Sequence, residues 1–127
     1  MRVALDTNRL TDLFRGDSVL AEMLMSADEV HIPLIVLAEI KAGFLGGSQK
    51  HHNEALLQAL LAKATVKVLL PTRDTADHYA RLFVQLKREG TPIPDNDLWI
   101  GALCLQHDLT LITRDRHFRR IPQLFHA

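Results

Sequence analysis

The stretch that decides the fold is Arg2-Val3-Ala4-Leu5-Asp6-Thr7-Asn8. Its first four residues form a short, mainly apolar segment that predicts a β-strand, and its last three favour caps and turns over strand interiors. Apolar residues then recur at helical spacing, at Leu10, Leu13 and Phe14. The pattern predicts a strand that turns directly into a helix, with an aspartate at the carboxyl end of the strand.

The same alternation of strand and helix continues along the chain. Further strands are predicted at 29–32, 66–70 and 109–113, with a short edge strand at 124–125. Helices are predicted from Asn8 to the break at Gly16, at 19–26, from Pro33 to the glycines at 43, 46 and 47, at 53–63, from Thr72 or Asp74 to Gly90, and at about 95–106. Because parallel neighbours need a crossover that is usually a helix, we predict an α/β fold with helices on both faces of a parallel sheet.

Length and composition indicate one domain that spans residues 1–127. The chain of 127 residues can bury one core and is too short for two ordinary domains. Apolar residues make up 47% and charged residues 24%, which excludes intrinsic disorder and fibrous arrays. No apolar run approaches the roughly 20 residues of a membrane span, and no secretory segment precedes Asp6. The single cysteine, Cys104, excludes an internal disulfide and a cysteine-based zinc cluster, so we expect a cytoplasmic protein.

Four carboxylates stand in unusual positions. Asp6 and Asp115 follow the first and fourth predicted strands, at the edge where open parallel sheets place ligands. Glu39 lies within an apolar helix, where a buried carboxylate needs a partner or a cation. Asp97 opens another helix that is too apolar to lie on the surface. Four acids at one sheet edge would repel one another unless a cation neutralised them.

Each of these acids also has an ordinary structural explanation. Asp6 and Asp115 can be turn formers after strands, and Asp97 can be a helix cap or a first-turn acid favoured by the helix dipole. Glu39 can pair with a buried arginine. If the acids do form a site, the absence of cysteine and of a histidine at ligand spacing favours Mg²⁺, with Mn²⁺ as the alternative, over zinc. Such an ion can activate water for phosphodiester hydrolysis.

Four segments of the chain resemble the motifs of PIN-domain proteins, and in particular of VapC toxins. The segments are Val3-Ala4-Leu5-Asp6-Thr7-Asn8, Ile35-Val36-Leu37-Ala38-Glu39-Ile40, Ile93 to Ala102, and Leu111 to Phe118. The resemblance covers nearly the whole chain, and the four motifs occur in the family's order and at its separations. One departure is Gly101, which stands where alanine is common.

The resemblance implies a three-layer α/β/α sandwich whose parallel sheet has the strand order 3-2-1-4-5. It also implies a metal-dependent endoribonuclease that acts as the toxin of a VapBC-type module, forms a homodimer and is neutralised by a VapB-like antitoxin. The family's catalytic acids match Asp6, Glu39, Asp97 and Asp115, with Asp6 and Asp97 as metal ligands. Thr7 or Asn8 would add a polar contact near the metal.

A neighbouring acid, Asp95, could be mistaken for the ligand at Asp97. Residues two apart on a helix do not share a face, so at most one of the two points at the ion. The resemblance favours Asp97 as the ligand, which leaves Asp95 or Asn96 as the helix cap.

Local basic residues are candidates for binding RNA phosphates. Fifteen basic residues offset fifteen acidic ones, so any phosphate binding has to be local. Arg114 and Arg116 flank Asp115, and Arg9 follows Asp6. An ordinary solvated surface remains the alternative for all three.

Three other functions are weighed against this one from the sequence. A magnesium-binding phospho-receiver domain has a similar length and sheet, but it needs an acid at the end of its third strand, where this chain has Leu69-Leu70-Pro71-Thr72. A phosphatase of the haloacid-dehalogenase type would want a second aspartate at Asn8 and a longer chain. A catalytically silent PIN scaffold that only binds a partner is the last alternative, and the intact set of acids counts against it.

Overall fold

The computed structural model describes all 127 residues as alternating strands and helices around one sheet. The strands are β1 (Arg2–Leu5), β2 (Glu29–Pro33), β3 (Val66–Leu69) and β4 (Thr110–Ile112). The helices are α1 (Thr7–Phe14), α2 (Ser18–Ser26), α3 (Leu34–Gly46), α4 (Lys50–Leu61), α5 (Arg73–Glu89) and α6 (Asp95–His107), followed by a short 3-10 helix at Arg116–Arg120. All four strands are parallel, in the order β3-β2-β1-β4.

Helices cover both faces of this sheet. Val3, Ala4 and Leu5 of β1 are completely buried although successive residues of a strand point to opposite faces. The buried side chains form one hydrophobic cluster of 29 residues. The predicted three-layer α/β/α architecture and the strand order 3-2-1-4 are therefore confirmed.

The position of the predicted fifth strand is occupied by a single β-bridge. His126 pairs with Leu111 in the parallel sense, and the backbone N–H of Leu111 donates to Phe125 O at 2.9 Å. The backbone N–H of Ala127 donates to Leu111 O at 2.9 Å. The chain thus runs along the outer edge of β4, as the order 3-2-1-4-5 requires, but it does not form a strand at Leu124 and Phe125.

Helix ends agree with the sequence at some positions and differ at others. The Asp17 carboxylate caps α2 by accepting from the backbone N–H of Leu20 at 3.0 Å, and Gly90 ends α5 with a φ of 70°. The predicted cap of α6 at Asp95 or Asn96 is wrong, because both lie inside the helix and Pro94 precedes its first turn. Of the three glycines predicted to end α3, Gly46 is its last residue and Gly47 its cap, whereas Gly43 is exposed and lies within the helix.

Close packing of α6 explains why glycine stands at position 101. A Cβ atom there would lie 3.0 Å from Cδ1 of Ile121 and 3.3 Å from Cδ2 of Leu82. The neighbouring Cys104 is buried in the core, where burial raises the pKa of its thiol to about 12 and keeps it protonated. None of the helices has the length and apolar character needed to cross a membrane.

Candidate active site

The candidate site lies where β1 and β4 end side by side. The backbone N–H of Asp6 donates to Ile112 O at 3.0 Å, so the pairing of the two strands continues to the residue after β1. Asp115 follows β4 after two intervening residues. Asp97 approaches from the first turn of α6, which packs against β4. The structure therefore brings these three predicted acids to one edge of the sheet, because parallel strands present their carboxyl ends on the same side.

Asp6 is the most deeply buried of these acids, with 5% of its surface exposed. Its Oδ1 accepts from the backbone N–H of Thr7 at 2.8 Å, and its Oδ2 accepts from the hydroxyl of Thr113 at 2.6 Å. Burial raises the pKa of Asp6, and the charges of Asp115 and Glu39 add to that rise against the two hydrogen bonds. The carboxylate is thus held in a fixed orientation while its negative charge lacks a compensating cation.

Asp97 is held near a second carboxylate by a histidine. Only 14% of its side chain is exposed, and its Oδ2 lies 3.0 Å from Nδ1 of His117. Burial raises the pKa of Asp97 to about 6, with further contributions from the charges of Asp115 and Asp6. The hydrogen bond from His117 opposes this rise but does not cancel it.

Asp115 is positioned by the turn that begins the 3-10 helix. Its Oδ1 accepts from the backbone N–H of His117 at 2.9 Å, and its own N–H donates to the Thr113 hydroxyl at 2.9 Å. Nδ1 of His117 lies 3.0 Å from the same carboxylate oxygen. The ligand atoms of Asp97, Asp115 and His117 all lie within 4.8 Å of one another.

The expectation that no histidine stands at ligand spacing from the acids is wrong, because His117 lies within reach of Asp97 and Asp115. His117 is only two residues from Asp115 in sequence, but at that spacing its ring reaches the acids only because the backbone turns into a 3-10 helix. Thr113 was also missed as a partner of Asp6. A hydroxyl residue directly after a buried strand, two positions before a candidate acid, is the local signal that could have indicated it.

The prediction that the Glu39 carboxylate is buried is wrong, because its side chain is exposed. Glu39 lies on the exposed side of α3 although most of its neighbours in sequence are apolar. The side chains of this helix that pack into or against the core are Val36, Ile40 and Phe44, which are buried, and Ile35 and Leu37, which are partly buried. Its Oε1 accepts from the hydroxyl of Thr7 at 3.0 Å. Glu39 therefore stands at the solvent rim of the acidic group, close enough for its charge to raise the pKa of Asp6.

Asp95 is directed away from the other acids. Its carboxylate accepts a hydrogen bond from the hydroxyl of Tyr79 on α5. Of the two neighbouring acids, the structure thus brings Asp97 to Asp115, as predicted. Asn8 does not contact these acids either, because its Oδ1 accepts from the backbone N–H of Arg114 at 3.2 Å.

The three predicted phosphate-binding arginines differ in their surroundings. Arg9 and Arg114 both pair with Asp12, at 2.8 Å and 2.7 Å. Arg116 is exposed and has no ion pair. The structure therefore leaves one of the three guanidinium groups free to meet a phosphate without breaking an existing contact.

The donor atoms at this edge suit a divalent cation. Two carboxylates and one imidazole converge from separate parts of the fold, and the pKa of Asp97 is raised in part by the repulsion that a cation would relieve. Fold and site together define an α/β protein with a candidate metal centre at the carboxyl edge of a parallel sheet.

Comparison with known proteins places the chain in a family. The PIN domain model matches residues 3–124. The chain is 31% identical over 125 residues to Ribonuclease VapC1 of Haemophilus influenzae (strain R2866), covering 94% of this chain and 92% of that protein. We conclude that the chain belongs to the PIN-domain family.

Solved structures of similar fold are toxin–antitoxin complexes. VapBC2 from Rickettsia felis, bound to a promoter DNA fragment, matches with a TM-score of 0.89 and 26% identity, covering 100% of this chain and 98% of that one. VapBC-1 from nontypeable Haemophilus influenzae matches with a TM-score of 0.86 and 30% identity, covering 100% and 97%. The family assignment made from the four motifs is thereby confirmed.

Proposed function

We propose that this protein is a metal-dependent endoribonuclease that acts as the toxin of a VapBC-type toxin–antitoxin module. The observation that carries the proposal is the convergence of Asp6, Asp97 and Asp115 at one sheet edge, with Glu39 at its rim. Relatives whose matches cover between 72% and 94% of this chain are named as VapC ribonucleases, which supports RNA as the substrate.

Asp6 and Asp97, the two predicted ligands, would hold the metal ion together with Asp115, whose carboxylate lies close to that of Asp97. Mg²⁺ or Mn²⁺ is the expected cofactor. When bound, such an ion would lower the pKa of a water molecule and stabilise the charge that develops on the scissile phosphate. Asp6 would remain oriented by the hydrogen bonds that it accepts from the Thr113 hydroxyl and from the backbone N–H of Thr7. We propose that Glu39, at the solvent rim, would accept a proton from the attacking water.

Replacement of Asp6 tests this proposal directly. Asp6→Asn should abolish metal-dependent cleavage of RNA and leave the far-ultraviolet circular dichroism spectrum unchanged. Asp108→Asn is the matched control, because Asp108 lies outside the acidic group and its positive φ of 54° suits asparagine as well as aspartate. Cleavage by Asp6→Asn at the wild-type rate would refute the assignment of the site.

The alternative functions are less well supported. A receiver-like domain needs an acid at the end of its third strand, yet β3 ends at Leu69 on the sheet edge opposite β4. Membership of the PIN-domain family leaves that alternative without support. If the protein is a silent scaffold, the purified wild type should cleave no RNA with any divalent ion. The wild-type sample in the Asp6→Asn experiment tests this alternative.

An apolar groove supports the proposal of a VapB-like antitoxin. Side chains of α1, α2, α4 and the adjoining strands line an open cavity of about 760 Å³. Among the lining residues are Leu13, Phe14, Leu24, Leu56, Ala59 and Leu60. Because the solved relatives are VapBC complexes, we assign this groove to an apolar segment of the antitoxin. The homodimer expected from the family resemblance remains a prediction, because the structure describes a single chain.

A charge placed in the groove tests the antitoxin assignment. Ala59→Glu should weaken binding of the small protein encoded beside this one by at least about tenfold, because a carboxylate would be buried against apolar side chains. Ala55→Glu, on an exposed position of the same helix that does not line the groove, should bind normally. RNA cleavage by both variants in the absence of the antitoxin should match that of the wild type. Unchanged affinity of Ala59→Glu would place the antitoxin elsewhere.

A further inference from the structure

His117 occupies an unusual position between two acids of the candidate metal centre. Nδ1 of the ring lies 3.0 Å from Oδ2 of Asp97 and 3.0 Å from Oδ1 of Asp115. The backbone N–H of His117 donates to the same Asp115 oxygen at 2.9 Å, so the turn itself holds the ring at the acids. The side chain of His117 remains 39% exposed, so the ring stands at the surface of the site.

These separations match the spacing of ligands around a six-coordinate ion. In an octahedral site with bonds of about 2.1 Å, adjacent ligand atoms lie about 3.0 Å apart. Nδ1 lies at that spacing from an oxygen of each carboxylate, and all three ligand atoms fall within 4.8 Å of one another. The ring and the two carboxylates are therefore close enough to one another to share one ion.

We propose that His117 supplies a nitrogen ligand to this centre, which makes the centre selective for a first-row transition ion such as Mn²⁺ over Mg²⁺. This inference rests on the proposed function, since it takes the acidic group to be a metal centre. Mg²⁺ is a hard ion that strongly prefers oxygen ligands and keeps its waters, whereas transition ions bind imidazole nitrogen readily. A site of two carboxylates and one imidazole therefore favours the transition ion.

A second role for His117, that of a positioning residue, would produce the same contacts with Asp97 and Asp115 in the metal-free protein. As a positioning residue, His117 would only donate a hydrogen bond that orients Asp97 and would withdraw from the ion. The two roles differ in one measurable property, because only a bound ring places a nitrogen nucleus next to the metal. Pulsed electron paramagnetic resonance of bound Mn²⁺ detects that ¹⁴N coupling directly.

The experiment compares the full chain with His117→Asn and with His117→Ala. Calorimetric titration of the wild type should give a Kd for Mn²⁺ at least about tenfold lower than that for Mg²⁺. His117→Asn can still donate a hydrogen bond and offers an amide oxygen, so it should bind Mg²⁺ within a few-fold of the wild type. It should lose the preference for Mn²⁺ and the ¹⁴N coupling, as should His117→Ala. His51→Asn, on the exposed first turn of α4, is the matched control and should behave as the wild type.

Three outcomes would overturn the inference. They are Mn²⁺ bound to the wild type without ¹⁴N coupling, equal affinity for both ions, and an undiminished preference for Mn²⁺ in His117→Asn. RNA cleavage measured on the same samples separates this inference from the proposed function. Cleavage without ¹⁴N coupling leaves the nuclease proposal standing and refutes the nitrogen ligand, whereas ¹⁴N coupling without cleavage supports the ligand and refutes the nuclease.

Discussion

Asp97 is the residue at which function and stability conflict. Its carboxylate is nearly buried beside two other acids, and the pKa of Asp97 is raised from its usual 3.8 to about 6. A raised pKa means that the folded state without metal holds the proton more tightly than the unfolded chain does. The contribution of Asp97 to the free energy of unfolding is therefore favourable below about pH 4 and is lost as the pH rises through about 6.

Replacing this charge by a neutral side chain should stabilise the metal-free protein. We expect Asp97→Asn to raise the free energy of unfolding at pH 7 by roughly 1 to 3 kcal/mol, since each pKa unit corresponds to about 1.4 kcal/mol. The gain should shrink as the pH falls from 6 to 4, where the wild-type carboxyl is also neutral. Urea unfolding in the presence of a chelator measures both effects. A loss of stability at pH 7 would contradict this account of the site.

The same substitution should remove metal binding, because an amide carries no charge to balance the cation. Residues kept at the expense of stability are typical of functional sites. Asp6, which is buried and whose pKa is also raised, belongs to the same group.

At the scale of elements, an ion-pair network ties α1 to the segment after β4. Asp12 on α1 accepts from Nε and Nη2 of Arg114 at 2.7 Å and 3.0 Å, and from Arg9 at 2.8 Å. The hydrogen bond from Arg114 is the main reason that the pKa of Asp12 is lowered. Because Arg114 directly precedes Asp115 in the chain, we infer that this network helps to position an acid of the candidate site.

Breaking the network should impair cleavage without removing an acid from the site. Asp12→Asn should lower kcat between about tenfold and a hundredfold, since small displacements of a reacting group have effects of that size. Arg114→Gln should have a similar effect, and the double variant should be no worse than either single one, because both remove the same contact. Asp77→Asn, on an exposed position of α5, is the control. Additive losses in the double variant would show that Arg114 acts independently of Asp12.

A second feature at this scale is the histidine within β2. His31 is 7% exposed, and neither of its ring nitrogens has a hydrogen-bond partner. In register it lies between Ala4 of β1, whose small side chain leaves room for the ring, and Lys67 of β3. Burial lowers the pKa of His31, an effect that Glu29 opposes and Arg2 and Lys67 reinforce.

The lowered pKa predicts a loss of stability in acid. Below about pH 6.5 the imidazole of His31 takes up a proton in the unfolded chain, whereas in the folded protein its lowered pKa resists protonation. The contribution of the neutral His31 to the free energy of unfolding is therefore present above about pH 6.5 and is lost as the pH falls through the folded-state pKa. His31→Leu should therefore be less sensitive to acid than the wild type when unfolding is followed by urea titration between pH 7.5 and 5. Identical pH dependence in the two proteins would show that His31 is readily protonated in the folded state.

At the scale of the whole molecule, a balance of charge limits how RNA can be held. The chain carries 15 basic and 15 acidic residues, so attraction to RNA depends on a few local cations. Arg9 and Arg114 are engaged with Asp12, whereas Arg116 is exposed beside the acids and unpaired. We therefore expect weak, local electrostatic binding in which Arg116 contacts a phosphate.

Salt dependence measures that contact. Binding of a single-stranded RNA to the inactive Asp6→Asn protein should weaken as salt increases, and Arg116→Ala should reduce the slope of log K against log salt concentration by about 0.7. Arg88→Ala, in the exposed last turn of α5, should leave the slope unchanged. An unchanged slope for Arg116→Ala would remove Arg116 from the phosphate contacts.

The sequence by itself determined the order of the elements and the edge at which the acids gather. Apolar spacing and turn residues act over a few neighbouring positions, so the strand at Arg2–Leu5 and the turn at Asp6 could be predicted locally. Parallel strands present their carboxyl ends on one side, so Asp6 and Asp115 could be placed together before any coordinates were known.

Only the tertiary structure decided which side chains touch. Thr113 meets Asp6 across 107 positions of the chain, and Arg114 meets Asp12 across 102, so no local pattern reports either contact. The apolar character of α3 predicted a buried Glu39, but the packing of α3 covers only one of its faces. His117 reaches Asp97 and Asp115 because the backbone turns there. Local preferences set each element, whereas burial and contact depend on how all the elements pack together.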